Sequence, residues 1–362
     1  MKLLNNSTLK PKLMKAALNT LYYSQLHRLL QPEWQGVGAI FTLHHVIDPA
    51  QDNTNNDLTF SPNRILDITP GFLDQTLELV KRSGFDIITL DEVRRRLLEK
   101  DFSRKFVSFT LDDGYQDNYL NAYPVFRKHN APFTVYVATA FPEGQALLWW
   151  DVLEQIIHQN DHLEIEICGV THAYSLENTT LKYNAWDTIY RQLRTMPEPL
   201  QRKTIARLAE SVGVDTRAHC TQQSMNWDTL KTLAADDLVT IGAHTVNHFA
   251  LRKLPADQVI EEATRSRIEI EKKLGKKPLH FSYPYGDSGS AGPREFEIIQ
   301  SLGFHTATTT RKAMLYPEHA AHLQALPRIS LNGDFQSDHY TRLFLTGAPF
   351  ALSNRFQKIV VG

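Results

Sequence analysis

The sequence predicts an α/β fold in which a parallel sheet is covered by helices, and two observations predict it. The apolar period switches repeatedly between strand and helix along the chain, with no long run of either alone. The helical stretches also carry their own punctuation: TPGFLDQTLELVKRSGF, residues 69–85, has Pro70 in its first turn and Gly84 past its end. Alternating strands and helices of this kind argue for parallel strands joined by helical crossovers, in a sheet open or closed into a barrel.

In chain order, residues 10–30 place Leu13, Met14, Ala17, Leu18, Leu21, Tyr22, Leu26 and Leu29 at helical spacing, among Lys10, Lys12, Lys15 and Arg28. This reads as one amphipathic, cationic helix that packs on the outside of the domain or lies on a membrane surface. VGAIFTLHHV (37–46) reads as a buried strand, followed by the helix at 69–85, a short strand DIITL (86–90) and a helix from about Asp91. Strand KFVSFTL (105–111), a helical stretch over 115–129 and strand PFTVYVA (132–138) come next. After residue 226 the alternation resumes with strand LVTIGAH (238–244), a helix over 255–275, strand LHFSYP (279–284), helix PREFEIIQSLG (293–303) and strand FHTATT (304–309). Between these halves, residues 142–225 combine helices with a hairpin around LEIEICGVTHAYSL and read as an insertion. The organisation expected is an N-terminal amphipathic helix over 1–35, a catalytic domain over 36–335 and a C-terminal tail over 336–362.

Composition narrows the function. The chain has 362 residues, 42% of them hydrophobic, enough for a well-buried core. With 39 basic and 40 acidic residues the net charge is −1, so no whole-protein field points to nucleic acid. Cys168 and Cys220 are the only cysteines, which excludes a disulfide framework; both read as structural thiols in a reducing compartment. The first residues lack a continuous apolar region, and no window reaches the ~20 apolar residues of a membrane span. A cytoplasmic protein is expected, peripheral at the inner membrane surface if residues 10–30 serve as an anchor.

Chemistry concentrates at strand ends. SFTLDDGYQD (108–117) ends an apolar strand in Asp112 and Asp113, two acids that repel each other and lose stability on burial unless a cation or a proton transfer uses them. IGAHTVNH ends another strand and gives His244 and His248 four residues apart. Two imidazoles and one carboxylate, with a position left for water, form the composition of a catalytic rather than a structural zinc site. One acid is then a ligand, while the other is free to take a proton from water whose pKa the metal lowers from ~15.7 toward ~7. Gly114 lets the backbone turn behind them, and Asp117 reads as a surface residue of the following helix.

The segments FTLDDG (109–114), HTVNH (244–248) and YPYG (283–286), in this order, resemble the first three motifs of the polysaccharide deacetylase (NodB-homology) carbohydrate esterases. The resemblance covers residues 36–335 apart from the insertion. It implies a distorted (β/α) barrel of about seven strands, with Asp112 as general base, Asp113, His244 and His248 as metal ligands, and a backbone N–H from Tyr285 for the oxyanion. Two departures stand out. The third motif commonly opens with an arginine that orients the base, whereas Ser282 stands there; Arg328 in LPRISL is a candidate substitute. The histidine general acid of the family's last motif is also missing; His44, where the first strand ends in His44–His45, is a candidate replacement on the side opposite the base, the alternative being a strand-end histidine that bonds a backbone carbonyl. Trp149, Trp150 and Trp227 are candidates for stacking on sugars or for a small core in the insertion. GDSGSA (286–291) and AHC (218–220) are similar to pieces of trypsin-like proteases, but helices intervene and the order and spacing are wrong for that fold.

The expected enzyme is a carbohydrate deacetylase, a hydrolase of carbon–nitrogen bonds that uses a divalent metal, zinc first. Its substrate would be an N-acetylated amino sugar in a polysaccharide, oligosaccharide or lipid-linked glycan. The alternatives are an O-acetyl esterase or deformylase on a glycan, or an inactive, metal-containing carbohydrate-binding protein.

Overall fold

Residues 6–50 and 60–361 are described by a computed structural model, with side chains from Lys12 onward. Residues 1–5 and the side chain of Lys10 lie outside the described residues. Two helices come first, α1 (Asn6–Tyr23) and α2 (His27–Trp34), in place of the single helix the spacing suggests. The break sits at Gln25, whose φ is +62°. His27 explains it: buried, it stacks on Tyr22 at 5.4 Å and bonds the Leu21 carbonyl through Nδ1 at 3.1 Å, which holds the turn between the two helices.

Strand β1 (Gly38–Leu43) leads to β2 (His45–Val46), which pairs in parallel with β3 (Asp67–Ile68). Helix α3 (Pro70–Arg82) starts on Thr69, whose side chain accepts from the Phe72 amide, as its Thr-Pro opening requires. After β4 (Asp86–Ile87) and α4 (Leu90–Glu99) comes β5 (Phe106–Leu111). A π-helical turn, Asn118–Ala122, runs into α5 (Tyr123–Lys128) and then β6 (Phe133–Val137).

The insertion follows. It holds α6 (Trp149–Gln159), the antiparallel hairpin β7 (His162–Ile167) and β8 (Val170–Ser175), α7 (Thr179–Thr195), α8 (Glu198–Ser211) and α9 (Thr216–Gln223). These elements pack around a separate apolar cluster that includes Trp149, Leu153, Ile156, Ile165, Ile189 and Ile205. Cys220 is buried there, but Cys168 is exposed at the tip of the hairpin with φ +52°, so only one of the two thiols is in a core. The apolar run around Cys168 is strand alternation, with one face of the hairpin on the cluster and the other in solvent.

The main sheet's elements resume with α10 (Trp227–Ala234), β9 (Val239–Ala243), α11 (Ala256–Leu274), β10 (His280–Ser282), α12 (Pro293–Ser301), β11 (Thr306–Thr308) and β12 (Ile329–Ser330). The tail is helical, with α13 (Asp338–Leu345) and α14 (Ala348–Ser353) carrying Phe344 and Phe350 into the main core. Among the described residues no helix is long and apolar enough to cross a membrane.

The main sheet is parallel and runs β11–β10–β9–β6–β5–β1–β12, with β4 beside the start of β5. The segment entering β12 hydrogen-bonds back onto β11: the Leu326 amide donates to the Ala307 carbonyl and the Thr309 amide to the Leu326 carbonyl, each at 2.9 Å. The sheet therefore curls into the distorted seven-strand barrel that the motifs imply.

Strand parity sorts its faces. On β5, Val107, Phe109 and Leu111 join the core under the helices, so Phe106, Ser108 and Thr110 face inward. The same parity puts Ile40 and Thr42 of β1, Thr134 and Tyr136 of β6, Gly242 of β9, and His280 and Ser282 of β10 inside. Extended by one step, it aims His44, Asp112 and His244 at the axis of the mouth.

Gly242 is a consequence of that filling. A Cβ there would lie 2.4 Å from Cδ1 of Tyr136 and 3.1 Å from the His280 carbonyl oxygen, so a side chain and a neighbouring strand both exclude it. Gly242→Ala should therefore cost about 1–3 kcal/mol of stability, the usual penalty of overpacking. It would be read as a lower midpoint in chemical denaturation. An unchanged midpoint would mean that the Tyr136 ring does not fill the barrel at this level.

Candidate metal and catalytic centre

The end of β5 separates the two acids. Asp112 keeps the inward parity of the strand, and Asp113 turns away from it with φ +73°, a left-handed conformation that non-glycine residues adopt only when their surroundings impose it. Both are buried, at 3% and 4% exposure.

Asp112 has its cation. Arg328 meets it with two parallel bonds, Nη1 to Oδ1 and Nη2 to Oδ2, both at 2.7 Å. The same guanidinium bonds Thr110 Oγ1 at 3.1 Å, Ser282 Oγ at 3.0 Å and the Thr309 carbonyl at 2.9 Å. Arg328 is fully buried, so it is no surface salt bridge, and the small Ser282 leaves the space that the guanidinium head fills. Burial works to raise the Asp112 pKa, but the charge and hydrogen bonds of Arg328 outweigh it and hold the carboxyl below its usual range.

Asp113 has no such partner. Its Oδ1 is buried without a hydrogen bond among the described residues, 3.4 Å from His244 Nε2 and 3.2 Å from His248 Nε2. His244 Nδ1 donates to the Ser282 carbonyl at 2.7 Å, which turns Nε2 toward Asp113 and, in the neutral ring, leaves the lone pair there. Burial pushes the His248 pKa down to about 4, against the pull of Asp113, and keeps that ring neutral near pH 7. His248 Nδ1 is buried without a partner among the described residues. Three candidate ligand atoms of Asp113, His244 and His248 thus lie within 4.8 Å of one another. Such a set fits a divalent cation, and the two-imidazole, one-carboxylate composition fits zinc.

The loop bearing the histidines is strained and held. Thr245 and His248 have φ of +69° and +54°. Glu262 of α11 supports them by accepting from the Val246 and Asn247 amides at 2.9 Å each and from Asn247 Nδ2 at 2.6 Å. Thr245 Oγ1 accepts from the His248 amide at 2.9 Å, and Arg202 of the insertion donates to the His248 carbonyl at 3.2 Å. Glu262 and Arg202 have no sequence signal, since a glutamate or arginine on a polar helix face looks alike whether it caps a distant loop or meets solvent.

Tyr285 is also left-handed, with φ +62°, and its amide gives no hydrogen bond to the described residues. Its ring packs on His248 at 4.8 Å, and its hydroxyl accepts from Trp149 Nε1 at 2.8 Å. Trp149 and Trp150 are buried, and Trp150 covers His248 edge-on at 5.0 Å, so both belong to the wall of the centre as well as to the core of the insertion. Trp227 is half-buried elsewhere, with Nε1 on Glu143 at 2.5 Å.

The paired histidines part as strand alternation requires. His44 Nε2 lies 3.9 Å from Asp112 Oδ2, which places it beside that carboxylate rather than on the opposite side. The reason is register: β1 and β5 are neighbouring strands with Thr42 level with Thr110, so the residues two steps on are adjacent too. Burial lowers the His44 pKa more than Asp112 and Asp113 raise it. His45 points to Asp117, with Nδ1 at 2.7 Å from Oδ2, while Oδ1 accepts from the Val46 amide at 2.8 Å. Burial opposes charge on His45, but Asp117 outweighs it and lifts the pKa to about 9. Asp117 is therefore no surface residue; the π-helical turn that follows brings it under β2, where it fixes the strand that carries both histidines.

The polysaccharide deacetylase family model matches residues 99–211 and 214–307, together more than half of the chain. His44 and Arg328 fall outside the matched stretches. Among solved structures, the deacetylase PplD of Streptococcus pyogenes in complex with acetate is 19% identical over 82% of this chain and 91% of that one, with a TM-score of 0.50. IcaB from Ammonifex degensii is 18% identical over 86% and 96% of the two chains, with a TM-score of 0.51. A de-N-acetylase from Aggregatibacter actinomycetemcomitans is 14% identical over 84% and 99%, also at 0.51. No curated protein sequence matches. Identities this low speak for the shared fold alone, but the family match, the three motifs and their meeting at one barrel mouth agree: the chain belongs to the polysaccharide deacetylase family.

Proposed function

We propose that this hydrolase is a metal-dependent N-deacetylase that releases acetate from amino sugars of a glycan. The observation that carries the reading is the division of labour between adjacent acids. Asp113 converges with His244 and His248 on one point, while Asp112, one residue away, is held ionised by Arg328.

A divalent cation held by Asp113, His244 and His248 would supply Lewis acidity to the acetyl carbonyl and acidify water. Asp112 takes the proton from water as its oxygen attacks the carbonyl carbon. The free Tyr285 amide donates to the oxygen on which charge develops. His44, neutral at rest and 3.9 Å from Asp112, receives that proton and passes it to the sugar nitrogen, so the C–N bond breaks to acetate and an amine. Arg328 keeps Asp112 charged and oriented. The intact Asp112–Arg328 pair also favours catalysis over an inactive sugar-binding role, because a binding site has no use for a buried, pre-ionised base.

Two experiments test the assignment. Chelation should abolish acetate release from N-acetylated oligosaccharides and added zinc should restore it; Asp113→Asn should lose metal and turnover, and Asp112→Asn turnover alone, by metal analysis and acetate assay. Equal metal loss in both variants would overturn the roles. For the proton path, His44→Ala should retain metal and lose about 10²–10⁴ in amide hydrolysis, and much less on an activated ester whose leaving group needs no proton. Parallel losses on both substrates would make His44 structural.

A further inference from the structure

The loop that carries the oxyanion donor contains a turn that its own residues do not favour. Pro284, Tyr285 and Gly286 close a three-residue turn in which the Gly286 amide donates to the Pro284 carbonyl at 2.7 Å, with Tyr285 at φ +62°. A turn of this hand about a non-glycine residue is rare and strained, and it persists only where its surroundings over-determine it. The direction of the Tyr285 N–H is that of the peptide plane between Pro284 and Tyr285, so whatever holds the turn also aims the donor.

The barrel supplies one side of the hold. Thr310, just past β11, donates through Oγ1 to the Tyr285 carbonyl at 2.6 Å, and its amide donates to the Gly286 carbonyl at 3.1 Å. Both bonds lie on the C-terminal side of Tyr285, and neither touches its side chain. The ring meets His248 at 4.8 Å, and the insertion covers it: Trp149 donates to the hydroxyl at 2.8 Å, Trp150 lies edge-on at 6.2 Å, and Arg194 of α7 lays its guanidinium over the ring with Cζ 3.8 Å from the centroid.

Arg194 also reaches past the ring into the same loop. Its Nη2 bonds Asp287 Oδ2 at 3.1 Å and Ser290 Oγ at 3.0 Å. Asp287 organises the rest of that segment, because its Oδ1 accepts from the Gly289 amide at 2.8 Å and the Ser290 hydroxyl at 3.0 Å, and its carbonyl accepts from the Ser290 and Ala291 amides at 3.0 and 3.1 Å. A planar guanidinium stacks on a ring and bonds oxygens at its edge at the same time, which an ammonium does not. Helix α7 aims it: Trp186, Tyr190 and Arg194 follow at four-residue steps on one face, with Trp186 stacked on Tyr190 at 4.6 Å and Tyr190 on Trp149 at 4.9 Å. The GDSGSA segment, which resembles a protease motif and has no part in the proton path, is thus the far wall of a clamp on Tyr285.

We infer that Arg194 is a positioning residue for the reaction: by clamping the Tyr285 ring and the 287–290 segment together, it holds the Tyr285 N–H toward the oxygen on which charge develops. The insertion then completes the catalytic centre as well as covering it. The inference rests on the deacetylase reading above and deepens it.

The test separates positioning from stability. Arg194→Ala should retain metal and KM and lose about tenfold or more in kcat, up to the ~10²–10³ that removing an oxyanion donor costs. Charge develops on the carbonyl oxygen of an amide and of an ester alike, so both substrates should fall together, unlike the pattern expected of His44→Ala. Affinity for a phosphonamidate analogue of the tetrahedral intermediate should weaken by the same factor as kcat/KM. Arg194→Lys and Asp287→Asn, the latter at an exposed position, should show smaller losses of the same kind. Arg191→Ala, whose side chain pairs with Asp187 on the exposed face of α7, should show none. Hydrogen exchange of the substrate-free protein should quicken over 286–291 in Arg194→Ala and stay unchanged over 244–248. Wild-type kcat in Arg194→Ala, or loss of metal and a rise in KM alongside the fall in kcat, would overturn the inference. If Arg194→Ala does not fold, wild-type kcat in Arg194→Lys and Asp287→Asn overturns it instead. A wild-type protein that releases acetate from no substrate refutes the deacetylase reading, whereas unchanged exchange over 286–291 refutes the clamp on its own.

Discussion

Two carboxylates buried side by side at the end of one strand set the conditions that the rest of the barrel meets. Neither is tolerable in a dry interior alone, because an unpaired buried charge costs several kcal/mol even after relaxation. The fold resolves them separately. Asp112 is neutralised by a guanidinium that is itself fully buried, so each charge exists only because the other does. Asp113 is turned out of the strand's parity by its left-handed backbone and left facing the Nε2 atoms of two imidazoles, a ligand set that a divalent cation would satisfy.

This solution ties electrostatics to topology. Arg328 lies in the segment that hydrogen-bonds to β11 on one side and enters β12 beside β1 on the other, the seam where the sheet becomes a barrel. Closing the seam delivers the cation to Asp112, and the Asp112–Arg328 pair in turn fastens β5 to the seam across the barrel interior. Backbone strain is stored where it is useful: Asp113, Thr245, His248 and Tyr285 are all left-handed, a conformation worth of order 1–3 kcal/mol each. Glu262 and Arg202 hold the histidine loop in that state, so α11 and the insertion both stabilise a geometry the loop would not keep alone.

The parts legible in the sequence are those that local periodicity encodes. Alternation of apolar and polar residues located the strands, and because parity continues one step past a strand's end, it also aimed His44, Asp112 and His244 at a common mouth. Helix starts at Pro70 and Pro293 and the stop at Gly275 followed from backbone chemistry that needs no tertiary context. What was illegible depends on contacts between distant segments. Asp117 looked like any polar residue of an amphipathic helix, and only the approach of β2 makes it the partner of His45. The break at Gln25 arises from His27 packing on Tyr22, a contact that no spacing rule includes. The side on which His44 lies relative to Asp112 depends on β1 and β5 being neighbours, which is a matter of strand order and not of either strand's own residues.

The exchange of an arginine for a serine in the third motif shows why a departure from a family pattern can leave a site intact. What the base requires is a guanidinium in one plane with its carboxylate, not an arginine at one position in the chain. Ser282 is inward-facing on β10, and its small side chain leaves room for a head group from elsewhere; its hydroxyl then accepts from that head group, which satisfies one of the five donors a buried guanidinium brings. The Thr309 carbonyl, Thr110 and the two oxygens of Asp112 take up the others. A cation entering from the closing seam instead of the third motif sees the same carboxylate, in the same bidentate geometry, with its hydrogen bonds satisfied. Loss of the arginine from one segment is therefore no argument for loss of the base, provided the interior offers the space and the acceptors to receive it from another.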